Sequence, residues 1–192
     1  MRQFISFTFF LSALCLSVVF IDSCKKSSNG GNGNSPADKY YVKFKVDGTL
    51  KTYSGDAEGN FNVESSVGNY VSTIYGVDKI FVADTSALDI GISNTANLAA
   101  NITYTNYATT TGGQLKPTLV ILSYYDESGN FFAAWPDDYS AFGVISDAKI
   151  IITSATSTSL KGNFSGTVYK EIDGTSPKHI ISEGEFYVKR IN

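Results

Sequence analysis

The chain has 192 residues, with 15 Lys plus Arg, 18 Asp plus Glu and a single His, for a formal net charge of -3. That length suits one domain with one core, and the missing basic excess argues against a nucleic-acid partner. Aromatic residues make up 14% and charged residues 17%, which excludes disorder of the chain as a whole.

Arg2 precedes an apolar run from Phe4 to Phe20, interrupted only by Ser6, Thr8, Ser12 and Ser17, which leads into Ile21-Asp22-Ser23-Cys24. A positive start, an apolar stretch short for a bilayer span and a small residue before a cut are the layout of a secretory signal peptide. Residues 1–23 are therefore expected to be removed, Cys15 among them. Cys24 would then be the lone cysteine of the mature chain, where an odd thiol in an exported protein has little use except attachment. Cys24 is the expected lipidation site, and more than one acyl chain there would hold the protein at a membrane without a spanning helix. Residues 24–38 are dominated by Gly, Asn and Ser and read as a flexible linker. Leaving out Arg2, Asp22, Lys25 and Lys26, residues 38–192 hold 12 basic and 17 acidic residues, a net of -5.

From residue 39 onward the apolar pattern has period two, with turn residues at short intervals. Residues 40–46 alternate Val42, Phe44 and Val46 against Lys43 and Lys45, and Asp47-Gly48 marks a hairpin into residues 49–53. Strands are expected next at 61–63, 70–77 and 79–83, then where Leu88, Ile90 and Ile92 alternate with Asp89 and Gly91, and more weakly at 101–107. Residues 118–125 are almost continuously apolar, as in a strand covered on both faces, and Asp126-Glu127-Ser128-Gly129-Asn130 turns it into residues 131–135. Ile150 and Ile152, then Leu160, Gly162, Phe164, Gly166 and Val168, predict an antiparallel hairpin, and Ile180-Ile181 followed by Gly184, Phe186 and Val188 closes the chain. About ten short strands at this spacing predict an all-β fold, an antiparallel β-sandwich with barrel-like closure as its variant, over residues 39–192. Lys43, Lys45, Lys161, Lys189 and Arg190 fall on outward positions, where charge discourages edge-to-edge aggregation.

Tyr124-Tyr125-Asp126-Glu127-Ser128-Gly129-Asn130, Trp135, the run 148–153, Leu160-Lys161-Gly162-Asn163-Phe164-Ser165-Gly166-Thr167 and Ile181-Ser182-Glu183-Gly184-Glu185-Phe186 form a C-terminal signature. It resembles that of small Bacteroidetes lipoproteins of unknown function. The resemblance covers residues 118–190 and rests on strand alternation, turn glycines and core aromatics. It implies a lipobox at Cys24, one β-sandwich-like domain and a place in the cell envelope at the outer membrane, and it brings no catalytic residue with it.

The densest group of chemistry-bearing residues runs from Tyr124 to Phe142, with seven aromatics beside Asp126, Glu127, Asp137 and Asp138. A sugar site uses such groups: rings pack on the C–H face of a pyranose while carboxylates accept from its hydroxyls. Trp135, Tyr125, Asp137 and Asp138 are the candidate ligand-binding residues, set against the plainer reading that the rings fill the core and the acids sit in turns. Asp126 to Asn130 reads as a hairpin loop rather than a calcium site, and the motif content points to no metal and no cofactor. No catalytic motif is present, so the chain reads as a non-enzymatic binding or accessory module for glycan or peptide. A structural component of an envelope assembly is the alternative, and a carboxylate-based hydrolase the outsider.

Overall fold

The computed structural model of the protein describes residues 40–54, 56–66, 68–79, 85–105, 119–135, 139–145 and 147–192. The signal segment, Cys24, the linker, Asp137, Asp138 and most of the strand expected at 79–83 lie outside them. Among the described residues eleven strands are present: β1 (Tyr41–Val46), β2 (Thr49–Tyr53), β3 (Asp56–Glu64), β4 (Tyr70–Val77), β5 (Ala87–Asn94), β6 (Thr103–Thr105), β7 (Leu119–Tyr125), β8 (Phe131–Ala134), β9 (Lys149–Ala155), β10 (Ser159–Tyr169) and β11 (Lys178–Arg190). The fold is all-β, as the alternation predicts; among the described residues no helix is long and apolar enough to cross a membrane.

Strands β2-β1-β11-β10-β9-β6 form one antiparallel layer and β3-β4-β5-β7-β8 a second. The layers join at two corners. At one, β11 runs parallel to β3 with Lys189 opposite Glu58 and Arg190 opposite Gly59; at the other, β10 meets β8 through Tyr169 opposite Ala133. Pairing therefore continues all the way round, yet the ring is uneven, because among the described residues β2 and β6 pair on one side only and stand outside it as edges.

Bulges in β11, β3 and β9 help the sheet to bend. In β11, Phe164 faces Gly184 but Gly166 faces Ile181, and Glu183 sits at φ 50°. The extra residue puts Ile181 on the same inward face as Gly184, Phe186 and Val188, which a regular strand could not do. In β3 the extra residue is at Phe61-Asn62, with Asn62 at φ 56°. The Asn62 side chain holds that shape by accepting from the Leu98 N–H at 2.7 Å and donating to the Leu98 carbonyl at 2.9 Å. The β1–β2 hairpin turns on Asp47 (φ 49°) and Gly48 (φ 83°), the conformation that Asp-Gly favours.

Inward residues of both layers share one core, including Val42, Phe44, Ile74, Ile90, Leu122, Tyr124, Ile150, Phe164 and Val188. The Phe44 ring lies 6.1 Å from Tyr124 across the layers and 5.8 Å from Phe164 within its own. Each such side chain contributes about 1.5–3 kcal/mol by leaving water. Gly76 marks a close approach of the layers, since a Cβ there would fall 2.6 Å from Val42 Cγ2.

Three elements differ from the sequence reading. β3 begins at Asp56 rather than Phe61, because its inward positions Ala57 and Gly59 are too small to register as an apolar stripe. β6 begins at Thr103 rather than Asn101, residues 106 and 107 lying outside the described residues, and it holds Tyr104 inward, where its hydroxyl accepts from the Ala99 N–H at 2.7 Å. The outer face of β7 is only partly covered: Ser123 is buried, Leu119 and Ile121 are half-buried and Tyr125 is exposed.

Candidate functional site

The aromatic stretch 124–142 divides by strand parity. Tyr124 and Phe132 point into the core, so for these two the plain core reading holds. Tyr125 and Phe131, register partners in β7 and β8, point outward with ring centroids 5.0 Å apart. Trp135 is half-buried and follows Ala134, the partner of Leu122. Asp137 and Asp138 lie outside the described residues, and the structure does not bring the other two candidates together: Tyr125 sits with Phe131 at one end of the β7–β8 pair, whereas Trp135 follows Ala134 at the other.

Two residues that sequence reasoning passed over complete that outer face. A cross-strand row runs from corner to corner: Lys189, Glu58, Tyr75, Asp89, Ser123, Ala133, Tyr169. The adjacent row holds Asp56, Val77, Ala87, Tyr125 and Phe131. Asp89 thus sits in the middle of the sheet, flanked by Tyr75 (40% exposed) and, diagonally, Tyr125 (38% exposed). Strands pack about 4.8 Å apart and Tyr125 is offset by two residues along its strand, so the two tyrosines stand roughly 12 Å apart across β5.

The electrostatics of the face centre on Asp89. Burial pushes its carboxyl up to about 6, opposed only by the Ile90 backbone N–H. Glu58 has Lys189 at 3.2 Å, whereas Asp89 has no ion pair among the described residues. Burial also raises the Tyr75 hydroxyl, with Asp56, Asp89 and Tyr125 adding to it, so these groups lie within electrostatic reach of one another. Asp56 is raised by burial and by Glu58, and partly offset by Lys189. The signal that would have found the site is a charged residue between Leu88 and Ile90, at the centre of a strand where Asp is disfavoured.

Other polar groups have structural work. Asp126 accepts from the Ser128 N–H at 2.9 Å, the Asn130 N–H at 2.8 Å and the Asn130 side-chain amide at 2.8 Å, which closes the β7–β8 turn. Lys51 pairs with Glu127 and ties β2 to that turn. His179, the single histidine of the chain, is half-buried: Nδ1 lies 2.7 Å from an Asp47 carboxylate oxygen and its ring 4.5 Å from that of Phe132. Asp47 also accepts from the Ile180 N–H at 2.8 Å; burial raises its carboxyl, but these two partners outweigh it and hold the group below the usual range. Burial pushes the Tyr124 hydroxyl, at the same end of the core, up to about 12.

Among the described residues, no three His, Cys, Asp or Glu side chains converge as a metal site would require. The architecture defines a class, an all-β two-layer domain with one acid-and-aromatic outer face. Compared with protein-family models, curated proteins and solved structures, the chain finds no match.

Proposed function

We propose that the protein is a lipid-anchored binding module of the cell envelope that recognises a glycan on the outer face of the five-stranded layer, through Tyr75, Asp89 and Tyr125, with Trp135 further along the same face. The observation that carries this reading is Asp89, a mid-strand carboxyl with no cation beside it among the described residues, held between two exposed tyrosines. An uncompensated acid on a sheet face lowers stability, and groups that break a local rule in this way concentrate at functional sites. Tyrosine rings offer apolar faces to sugar C–H groups, and Asp89 offers an acceptor to a hydroxyl.

The envelope location and the anchor rest on the sequence, namely the export pattern, Cys24 and the resemblance to small Bacteroidetes lipoproteins. The edge of β2, unpaired among the described residues and with Leu50 exposed, supports a second reading in which an envelope partner adds a strand there.

Titration of the detergent-purified protein against a glycan panel, read by the fluorescence of Trp135, the one tryptophan of the chain, tests recognition. A saturable response that weakens about five- to tenfold in Tyr75→Ala and in Tyr125→Ala is expected. Silence toward every glycan, or binding of extended peptides that both variants retain, refutes it. For the anchor, the membrane-fraction protein should yield an acylated N-terminal peptide beginning at Cys24; an unmodified Cys24 peptide refutes lipidation.

A further inference from the structure

The outer face of the six-stranded layer presents a different chemistry. Two cross-strand rows meet there: Thr52, Lys43, Glu185 and Asn163 in one, and Tyr41, Tyr187 and Lys161 in the other. Tyr41, Lys43, Thr52, Ser54 and Glu185 line a hollow of about 590 Å³, within the range of small-ligand sites. We infer that this hollow is a second binding site, independent of the Asp89 face, and that it takes a sugar bearing a single carboxylate.

The charge pattern selects the carboxylate. Lys45 pairs with Glu183 at 2.7 Å, Lys189 with Glu58 at 3.2 Å, and Lys161 lies 4.4 Å over the Tyr187 ring. Glu185, the register partner of Lys43, makes no ion pair with it among the described residues and acts on Tyr41 instead, whose hydroxyl it raises above the usual range. Lys43 is thereby left exposed at the rim with no ion pair among the described residues, ready to bind an external anion as a charge-assisted donor.

The remaining lining selects a sugar. Tyr41 packs edge-on against Tyr187 at 6.3 Å, and Tyr40 against the same ring at 5.1 Å, which fixes an aromatic wall. Thr52 and Ser54 add hydroxyls that both donate and accept, as neighbouring sugar hydroxyls require. The net charge of -5 over residues 38–192 repels polyanions, so the complement of one free lysine is one carboxylate rather than a phosphate-rich ligand.

Calorimetric titration of the detergent-purified protein with galacturonic acid, and with galactose as its neutral counterpart, tests the site. Galacturonate should bind more tightly than galactose, weaken about ten- to hundredfold in Lys43→Ala, recover in part in Lys43→Arg, and be unchanged in Lys149→Ala, a lysine of the same layer outside the hollow. Equal affinity for the two sugars, no galacturonate binding, or equal losses in the two alanine variants overturns the inference. Competition by acetate as strong as that of galacturonate overturns the sugar assignment.

Discussion

Asp89→Asn should stabilise the protein at neutral pH and lose that advantage in acid. Burial moves the Asp89 carboxyl from the usual 3.8 to about 6. Below 3.8 both the folded and the unfolded chain carry the group protonated, and neither state is favoured. Between 3.8 and about 6 the unfolded chain releases its proton while the folded chain keeps it. The folded state therefore binds more protons there, stability falls as pH rises, and the penalty is complete above about 6. At 1.36 kcal/mol per pKa unit the penalty is about 3 kcal/mol, reduced to about 2 because Asp89 is only half-buried and water screens its open side.

Asparagine stays neutral at every pH and escapes the penalty. For a domain of this size, about 2 kcal/mol corresponds to a Tm gain of roughly 4–8 °C. Calorimetric melts of both proteins from pH 3.5 to 8 measure it, and subtracting one series from the other cancels the titration of groups that both share. A Tm difference that does not grow with pH, or a variant less stable than the parent at pH 7.5, would refute the reasoning. The same substitution should weaken glycan binding, so a gain in stability accompanied by a loss of binding is the signature of a site held against its own stability.

Gly76→Ala places a Cβ 2.6 Å from Val42 Cγ2, so the layers must part; a loss of about 1–3 kcal/mol in urea unfolding is expected, and a change below about 0.5 kcal/mol contradicts the packing described. Asp147 accepts from the Thr167 N–H at 2.6 Å and from its hydroxyl at 2.9 Å. Asp147→Ala should therefore cost about 1.5–3 kcal/mol, with partial recovery in Asp147→Asn, and equal stability of the two variants counts against that clamp.

Much of the fold was legible because the two periods available to a chain differ so plainly. The alternation at 160–168 needs no tertiary information to be read as a strand, and Asp47-Gly48 announces its turn because few residue pairs accept positive φ. Where inward side chains are small, as in β3, the alternation carries no hydropathy signal and the strand was seen only in part. Parity also places Tyr125 and Trp135 outward once the strand is fixed, but it gives no neighbour across the sheet. Tyr75 and Asp89 come from strands β4 and β5, and only the register sets them beside Tyr125.

The sequence by itself determined the all-β class, most of the strands, and the inward or outward sense of nearly every residue, because those follow from a two-residue repeat within a single strand. Only the tertiary structure decided which strands are neighbours and where the two layers close on each other. It also decided that an acid with no ion pair among the described residues would stand between two tyrosines on one face and a lysine likewise without an ion pair beside an aromatic wall on the other. Such juxtapositions depend on pairings between residues far apart in the chain, and no local pattern encodes them.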